Sequence, residues 1–285
     1  MKNNRNYGLD IGREYIEQSK EDLILGAWSL PDEARIPESE REKYLPKGEV
    51  QKGVEDFMDC VTRGHNNIIE TKLNYLLKNK KLRWENEMWL KKNGYITNNG
   101  VELSDRFTAI LSNTTRSGNS LKAPAQAIHE FGCIPKSELP ATKDMTWDEY
   151  HDISQVTWRL KDLGREFSER FKINYEKVYN FKTDLVEDMF GTGLYAWPSP
   201  LSDVYPPTEE TFNHEVMFIK RAWFIFDNYI DTYLQDGGEF IKQLDSLYKL
   251  MDYGYRFSIN QREAKIKQKF GSWRFIKRYF RQIWS

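Results

Sequence analysis

Cys60 stands where a polar loop, residues 50–59, runs into a segment with helical periodicity, and it is one of two cysteines among 285 residues. A helix N-terminus presents free backbone N–H groups and the positive end of the helix dipole, which favour thiolate over thiol and can hold an oxyanion. The alternative reading is a small apolar residue buried at a helix start. Downstream, Phe212-Asn213-His214-Glu215-Val216-Met217-Phe218-Ile219 has the β-branched and aromatic composition of a strand, and a second such run, Ala222 to Tyr229, follows Lys220-Arg221. The two read as a hairpin, with His214 near the start of one strand and Asp227 and Asn228 near the end of the other, so antiparallel pairing brings a carboxylate or carboxamide toward the imidazole. A thiol, an imidazole that takes its proton and a third group that fixes the imidazole's tautomer are the parts of covalent acyl transfer. Glu55, Asp56 and Asp59 put negative charge beside Cys60, which raises a thiol's pKa and works against that chemistry.

Taken in order, these motifs resemble the papain-like cysteine peptidases. Ile36-Pro37-Glu38 looks like the start of a mature domain of that family, and Tyr44-Leu45-Pro46 through Gln51 like the approach to its oxyanion glutamine. Leu103-Ser104-Asp105-Arg106-Phe107 resembles the helix start that follows the family's active-site helix. Gly118-Asn119-Ser120-Leu121 followed by Ala127 to Gly132 resembles its glycine-bearing loop and short helix, and Ser137-Glu138-Leu139-Pro140 stands at its "Tyr-Pro-Tyr" segment. Asn213-His214-Glu215-Val216 matches "Asp/Asn-His-Ala-Val", and Phe226-Asp227-Asn228-Tyr229 matches "Lys-Asn-Ser-Trp". His214 follows Cys60 by 154 residues, a separation that suits the class.

The resemblance spans roughly residues 36–235 and implies an α+β, two-lobed fold, with a helical lobe carrying the Cys60 helix and an antiparallel β lobe carrying the His214 hairpin. It implies Cys60 as nucleophile, His214 as base and then acid, Asp227 or Asn228 as orienter, Gln51 with the Cys60 N–H as oxyanion donors, and Gly118, Asn119 and Ser120 as substrate contacts. The implied substrate is a peptide or protein, with no cofactor. The chain departs from the family in lacking "Cys-Gly-Ser-Cys-Trp": Phe57-Met58-Asp59 precede the cysteine and Val61 follows it, and Gln51 stands nine residues upstream, farther than in the peptidases. Short domains of this kind without disulfides resemble those of bacteria and bacteriophages. Three functions are therefore in view: a peptidase, a related thiol hydrolase or transferase acting on cell-wall peptide or isopeptide bonds, and a catalytically inactive structural or interaction protein such as a virion component.

The elements that must position these residues are legible in outline. Val61, His65, Ile68, Ile69, Leu73, Leu76 and Leu77 recur at three and four residues, which predicts an amphipathic helix with His65 in its core face. Lys78 to Tyr95 interleaves basic and aromatic residues; a helix end and a second helix burying its tryptophans is one reading, and base stacking the other. Asn98-Asn99-Gly100 predicts a turn, Ser104 an N-cap, residues 117–120 a loop before a short helix, and Cys133 a structural position. Thr146 with Glu149 predicts a capping box, and residues 146–179 read as a charged helical insertion, on which His151 has no catalytic part. Residues 181–189 read as a helix and Gly191 to Trp197 as a strand. After Gly237-Gly238, Phe240, Ile241, Leu244, Leu247, Tyr248 and Met251 fall on one face of a further predicted helix.

Composition excludes several classes. Basic and acidic side chains number 42 and 43, so net charge gives no sign of a general nucleic-acid binder, and 39% hydrophobic content argues for a folded chain. Two cysteines cannot build the disulfide framework of a small secreted domain, no run approaches the ~18 apolar residues of a membrane span, and the first residues lack the apolar stretch of a signal peptide; a cytoplasmic location, host cytoplasm or virion for a viral protein, is the expectation. Residues 1–35 read as an N-terminal extension, with packing against the domain and a propeptide-like cover as the alternatives. Residues 236–285 read as a C-terminal helical tail whose last part, Ala264 to Ser285, holds seven basic, six aromatic and no acidic residues. Such a segment suits a membrane surface, a nucleic acid, an acidic protein partner such as a virion neighbour, or docking on its own domain. No metal-ligand set appears.

Overall fold

The structure, a computed structural model, describes residues 9–10, 13, 32–47, 54–179, 188–195, 212–220, 224–226, 241–243 and 250–263, to which the structural statements below refer. Helices come first in the chain and strands second, an α+β order. The helices are α1 (Cys60–Lys78), α2 (Trp84–Lys92), α3 (Asp105–Leu111), α4 (Lys122–Phe131), α5 (Trp147–Tyr150) and α6 (Trp158–Arg170). A small hairpin, β1 (Ile96–Thr97) and β2 (Gly100–Val101), turns at Asn98-Asn99 as expected, with Gly100 at φ +112° where a side chain would be strained. The strands β3 (Phe171–Tyr179), β4 (Phe190–Tyr195), β5 (Phe212–Lys220), β6 (Phe224–Phe226), β7 (Ile241–Gln243) and β8 (Leu250–Gln261) form one antiparallel sheet in the order β3-β8-β4-β5-β6-β7.

Helix α1 is the centre of the molecule. It packs against β4, β5 and β8, and its Ile68, Ile69, Leu73 and Leu76 share one core with Phe171, Ile173, Met217, Ile219, Phe257 and Ile259 of the sheet. The amphipathic pattern predicts a polar face in water, but Arg63, Asn66, Asn67, Glu70, Thr71, Lys72 and Asn74 are buried as well. Arg63, Asn66 and Lys72 reach carboxylates, and Glu70 and Asn74 bind backbone of neighbouring segments, which is why such burial is tolerated. Glu70 accepts from the Leu103 N–H at 2.6 Å, and Asn74 accepts from Val101 N–H at 2.8 Å while donating to Tyr44 O at 3.1 Å.

The predicted N-cap and capping box are both present: Ser104 Oγ accepts from Phe107 N–H at 3.2 Å, and Thr146 and Glu149 exchange reciprocal bonds at the start of α5. Two predicted helices are corrected. The charged helical run ends at Arg170, not near Tyr179, because Phe171-Lys172-Ile173 begins the period-2 alternation of β3. Residues 241–243 and 250–261, expected within a helical tail, are β7 and β8, and β8 is interior to the sheet, so the boundary expected at residue 235 falls inside it. Tyr253, Tyr255, Phe257 and Ile259 alternate toward the core, and this overrides the helical spacing that ends at Met251. Helix α2 buries its aromatics only in part: Trp89 packs beside Tyr95, whereas Trp84 is 74% exposed. Among the described residues no helix is long and apolar enough to cross a membrane. The segments 181–187 and Ala264–Ser285, read as a helix and a basic tail, lie outside the described residues.

Candidate active site

Cys60 is the first residue of α1 and is 2% exposed. Two residues earlier Met58 adopts φ 54°, a left-handed conformation that a long side chain avoids, held by Asp56 Oδ1 accepting from its N–H at 2.8 Å. The thiol lies in a small apolar cluster with Val61, Leu9, Leu121, Tyr253 and Tyr255.

His214 is carried by β5, where it pairs with Leu194 of β4 and is 1% exposed. Tyr255, beside Cys60, is in register with Gly191, which pairs with Met217 of β5. Farther along α1, past its middle, Lys72 reaches Asp188, two residues before the Phe190–Phe218 pair. Helix α1 and β5 therefore run in the same sense, with Cys60 and His214 at the same end. Alternation along the regular part of β5 sets His214 with Phe218, opposite Met217 and Ile219, which join the core under α1. The ladder stays in register through Leu194↔His214 and slips only beyond that pair, between Leu194 and Tyr195. The β5–β6 hairpin is present as expected, in register Met217↔Phe226 and Phe218↔Ile225. Asp227 and Asn228, the expected orienters, and Gln51, the expected oxyanion donor, lie outside the described residues.

The three carboxylates that flank Cys60 are each engaged. Glu55 accepts from the Trp147 N–H at 3.1 Å and pairs with Arg116 at 3.5 Å, and Asp56 caps Met58. Asp59 is fully buried; both its oxygens accept from Arg63 Nε, at 2.9 and 3.0 Å, and Oδ2 also accepts from the Tyr150 hydroxyl. Burial alone would lower the Arg63 pKa, but Asp59 and Asp105 more than offset it and hold the guanidinium charged. The sequence assigned no part here to Arg63 or Tyr150 and set His151 aside; Tyr150 and His151 reach this loop only through the packing of α5, whereas Arg63 meets Asp59 four residues away on α1.

Gly118, Asn119 and Ser120 form the loop expected to meet substrate. Gly118, at φ +96°, closes a turn with Thr115 through N–H to O bonds of 2.8 and 3.0 Å. The Asn119 amide donates to Ser112 Oγ and Thr114 Oγ1, both at 2.8 Å, and Ser120 Oγ accepts from Ala123 N–H at 3.1 Å at the start of α4. Both side chains thus serve the loop itself. Its backbone is met by the N-terminal segment: Leu9 bridges Asn119 in parallel sense, and the Asp10 N–H donates to Asn119 O at 2.8 Å.

His65 is fully buried one and a half turns into α1, with Nε2 2.8 Å from Leu121 O, so that nitrogen donates and the ring is neutral. Burial, against the smaller opposing effect of that bond, pushes its pKa down to about 4. An unfolded histidine titrates near 6.5, so the contribution of a neutral His65 is fully present above about pH 6.5 and is lost as pH falls toward 4. Urea unfolding at pH 7.5 and 4.5 is expected to show the parent losing roughly 2–3 kcal/mol more than His65→Gln, which has no group to protonate. Equal losses would mean that the ring is hydrated.

Cys133 is buried, and burial, then Glu70 and Asp105, push its thiol far above the ordinary range, in line with its expected structural role. Among the described residues no group of three or more His, Cys, Asp or Glu is arranged to hold a metal ion.

No family model matches the chain, and no curated protein matches it in sequence. Among solved structures it is similar to xylellain, a cysteine protease from Xylella fastidiosa, at 12% identity and a TM-score of 0.43, over 85% of this chain and 96% of that one.

Proposed function

We propose that the protein is a papain-like cysteine peptidase, with the helices to Arg170 as one lobe and the antiparallel sheet as the other. What supports this reading is Cys60 as the first residue of the central helix, together with His214 on a strand of the sheet that packs against that helix. In this reading Cys60 ionises at the helix N-terminus and attacks a peptide carbonyl carbon, and His214 takes the thiol proton and passes it to the departing amine. The Cys60 N–H, with Gln51, holds the oxyanion, and Asp227 or Asn228 orients the imidazole. Water, deprotonated by His214, then cleaves the thioester and restores the thiol. The segment around Leu9 covers this centre in the manner of a propeptide.

The test is iodoacetamide labelling across pH 5 to 8, read for each cysteine by peptide mass spectrometry, on the full chain and on His214→Ala. A thiolate–imidazolium pair is expected to let Cys60 label at pH 6 at least about tenfold faster than in His214→Ala, with Cys133 inert in both. Slow labelling, indistinguishable between the two folded proteins, would sink the peptidase reading.

A further inference from the structure

The loop that delivers Cys60 is clamped from outside by α5 and the residue after it. The Phe57 ring stacks on Tyr150 at 4.1 Å with planes 10° apart, and His151 Nε2 donates to Phe57 O at 2.9 Å. Arg116 lies over the Trp147 ring and joins Glu55 to Asp148. Tyr150 is itself fixed at both ends: Arg106 Nε donates to its carbonyl at 2.8 Å, and its hydroxyl donates to Asp59. Asp59 immediately precedes Cys60, and its carboxylate is buried away from bulk solvent; a bare charge there would oppose a second negative charge on the neighbouring sulfur. Arg63, one helical turn along, answers that charge and is held in turn by Asp105 at 3.3 Å, which accepts from Asn66 on its other side.

We propose that Arg63 and Tyr150 are positioning residues for Cys60: by neutralising and fixing the Asp59 carboxylate, they let the next residue ionise at the helix N-terminus. The catalytic consequence rests on the peptidase reading, whereas the effect on the Cys60 thiol does not. Other titratable groups around this end of α1 are His65 on α1 itself, Lys122 on α4, Lys177 on β3, Tyr253 and Tyr255 on β8, and His214 on β5. Among the described residues Tyr175 of β3 also packs against this cluster, and Glu55, Asp56, His151 and Asp10 lie on the flanking loops. All of these are constant among the variants below, so a change in the Cys60 profile reports the Asp59 cluster.

The midpoint of the Cys60 labelling rate against pH is the readout, on full-length protein checked for folding by circular dichroism. Arg63→Met leaves Asp59 uncompensated and is expected to raise the midpoint by about one unit, about tenfold slower labelling at pH values well below the parent midpoint. Tyr150→Phe is expected to move it the same way by less, about threefold in rate. Asp59→Asn leaves the Arg63 cation in place and is expected to lower the midpoint, and Asp59→Asn with Arg63→Met to return within about threefold of the parent. Opposite signs from adjacent substitutions are not what mere loosening produces. The proposal is overturned if folded Arg63→Met keeps the parent midpoint, or if the double variant stays displaced. Should Arg63→Met not fold, Tyr150→Phe and Asp59→Asn decide, and movement in one direction by both overturns it. An ordinary thiol midpoint in the parent, unmoved by His214→Ala, would instead remove the peptidase reading while the comparison of variants still stands.

Discussion

Removing residues 1–13 will make Cys60 react with iodoacetamide roughly 10- to 100-fold faster. The thiol shares its apolar cluster with Leu9, which is 1% exposed, so reagent reaches sulfur only when the N-terminal segment lifts. Contacts of three described residues hold that segment. Leu9 is buried, Asp10 N–H bonds to Asn119 O at 2.8 Å, and the Arg13 guanidinium donates to Asn113 O at 2.7 Å and Ser112 O at 3.0 Å. A fully buried leucine stabilises by about 1.5–3 kcal/mol, and the bonds reach a partly exposed loop where water replaces them at little loss. An opening free energy of about 2 kcal/mol protects the sulfur by a factor of about 30, because labelling through a rapid local opening tracks the open population. Leu9→Asp should reproduce most of the gain without deletion. Unchanged rates in both would show that Leu121, Tyr253 and Tyr255 bury the thiol unaided, and that the segment is packing rather than a cover. Gain with Leu9→Asp but not with Arg13→Ala would place the hold in the apolar contact.

The elements carrying Cys60 and His214 were legible because each gives one clear signal. Residues 61–77 repeat at three and four, and residues 212–219 are rich in β-branched and aromatic side chains, so α1 follows from spacing and β5 from composition. The misread stretches are those where two periods compete. In 240–251 the apolar residues fit a helix face, but the run 253–259 alternates strictly, and pairing with both β3 and β4 decides for strand. Lys172 and Glu176 gave residues 171–179 the look of a charged helix, yet Glu176 is answered across the ladder by Arg256 at 2.7 Å, a cross-strand pair that only the register of β3 on β8 creates.

Of the site, the thiol and the imidazole could be picked out by type and order, but their electrical surroundings could not. Glu55, Asp56 and Asp59 read as a hostile flank because sequence shows charge without its partner. Arg63 was visible four residues along the same helix, a spacing at which side chains meet, whereas Tyr150 lies 91 residues away and arrives only with α5. Asn119 and Ser120 were picked out as substrate contacts by loop position; the bonds of Asn119 to Ser112 and Thr114 and of Ser120 to the first turn of α4 could not be read from it.

Replacing Lys72 with methionine will destabilise the protein by about 3–5 kcal/mol at pH 7, lowering Tm by about 10 °C. The Lys72 side chain has no exposed surface, and its Nζ lies 2.6 Å from Asp32 Oδ2 and 2.6 Å from Asp188 Oδ2. Both acceptors also hold backbone: Asp32 Oδ1 takes the N–H groups of Ala34 and Ile259, and Asp188 Oδ1 takes that of Met189. One cation therefore ties the segment before Ile36, the middle of α1, the start of β4 and the edge of β8. Burial by itself would strip its proton, but the two carboxylates outweigh burial and raise its pKa. Methionine fills the volume yet leaves two buried carboxylates facing each other with no cation between them. Asp188→Asn keeps one ion pair and should cost about half as much. Asp32→Asn with Asp188→Asn strands the cation instead, so its deficit should grow, not shrink, from pH 7 to pH 5, because lower pH keeps an unpaired buried lysine charged. Urea titrations at the two pH values separate the cases, and a Lys72→Met deficit below about 1 kcal/mol at pH 7 would mean that water already solvates the three charges.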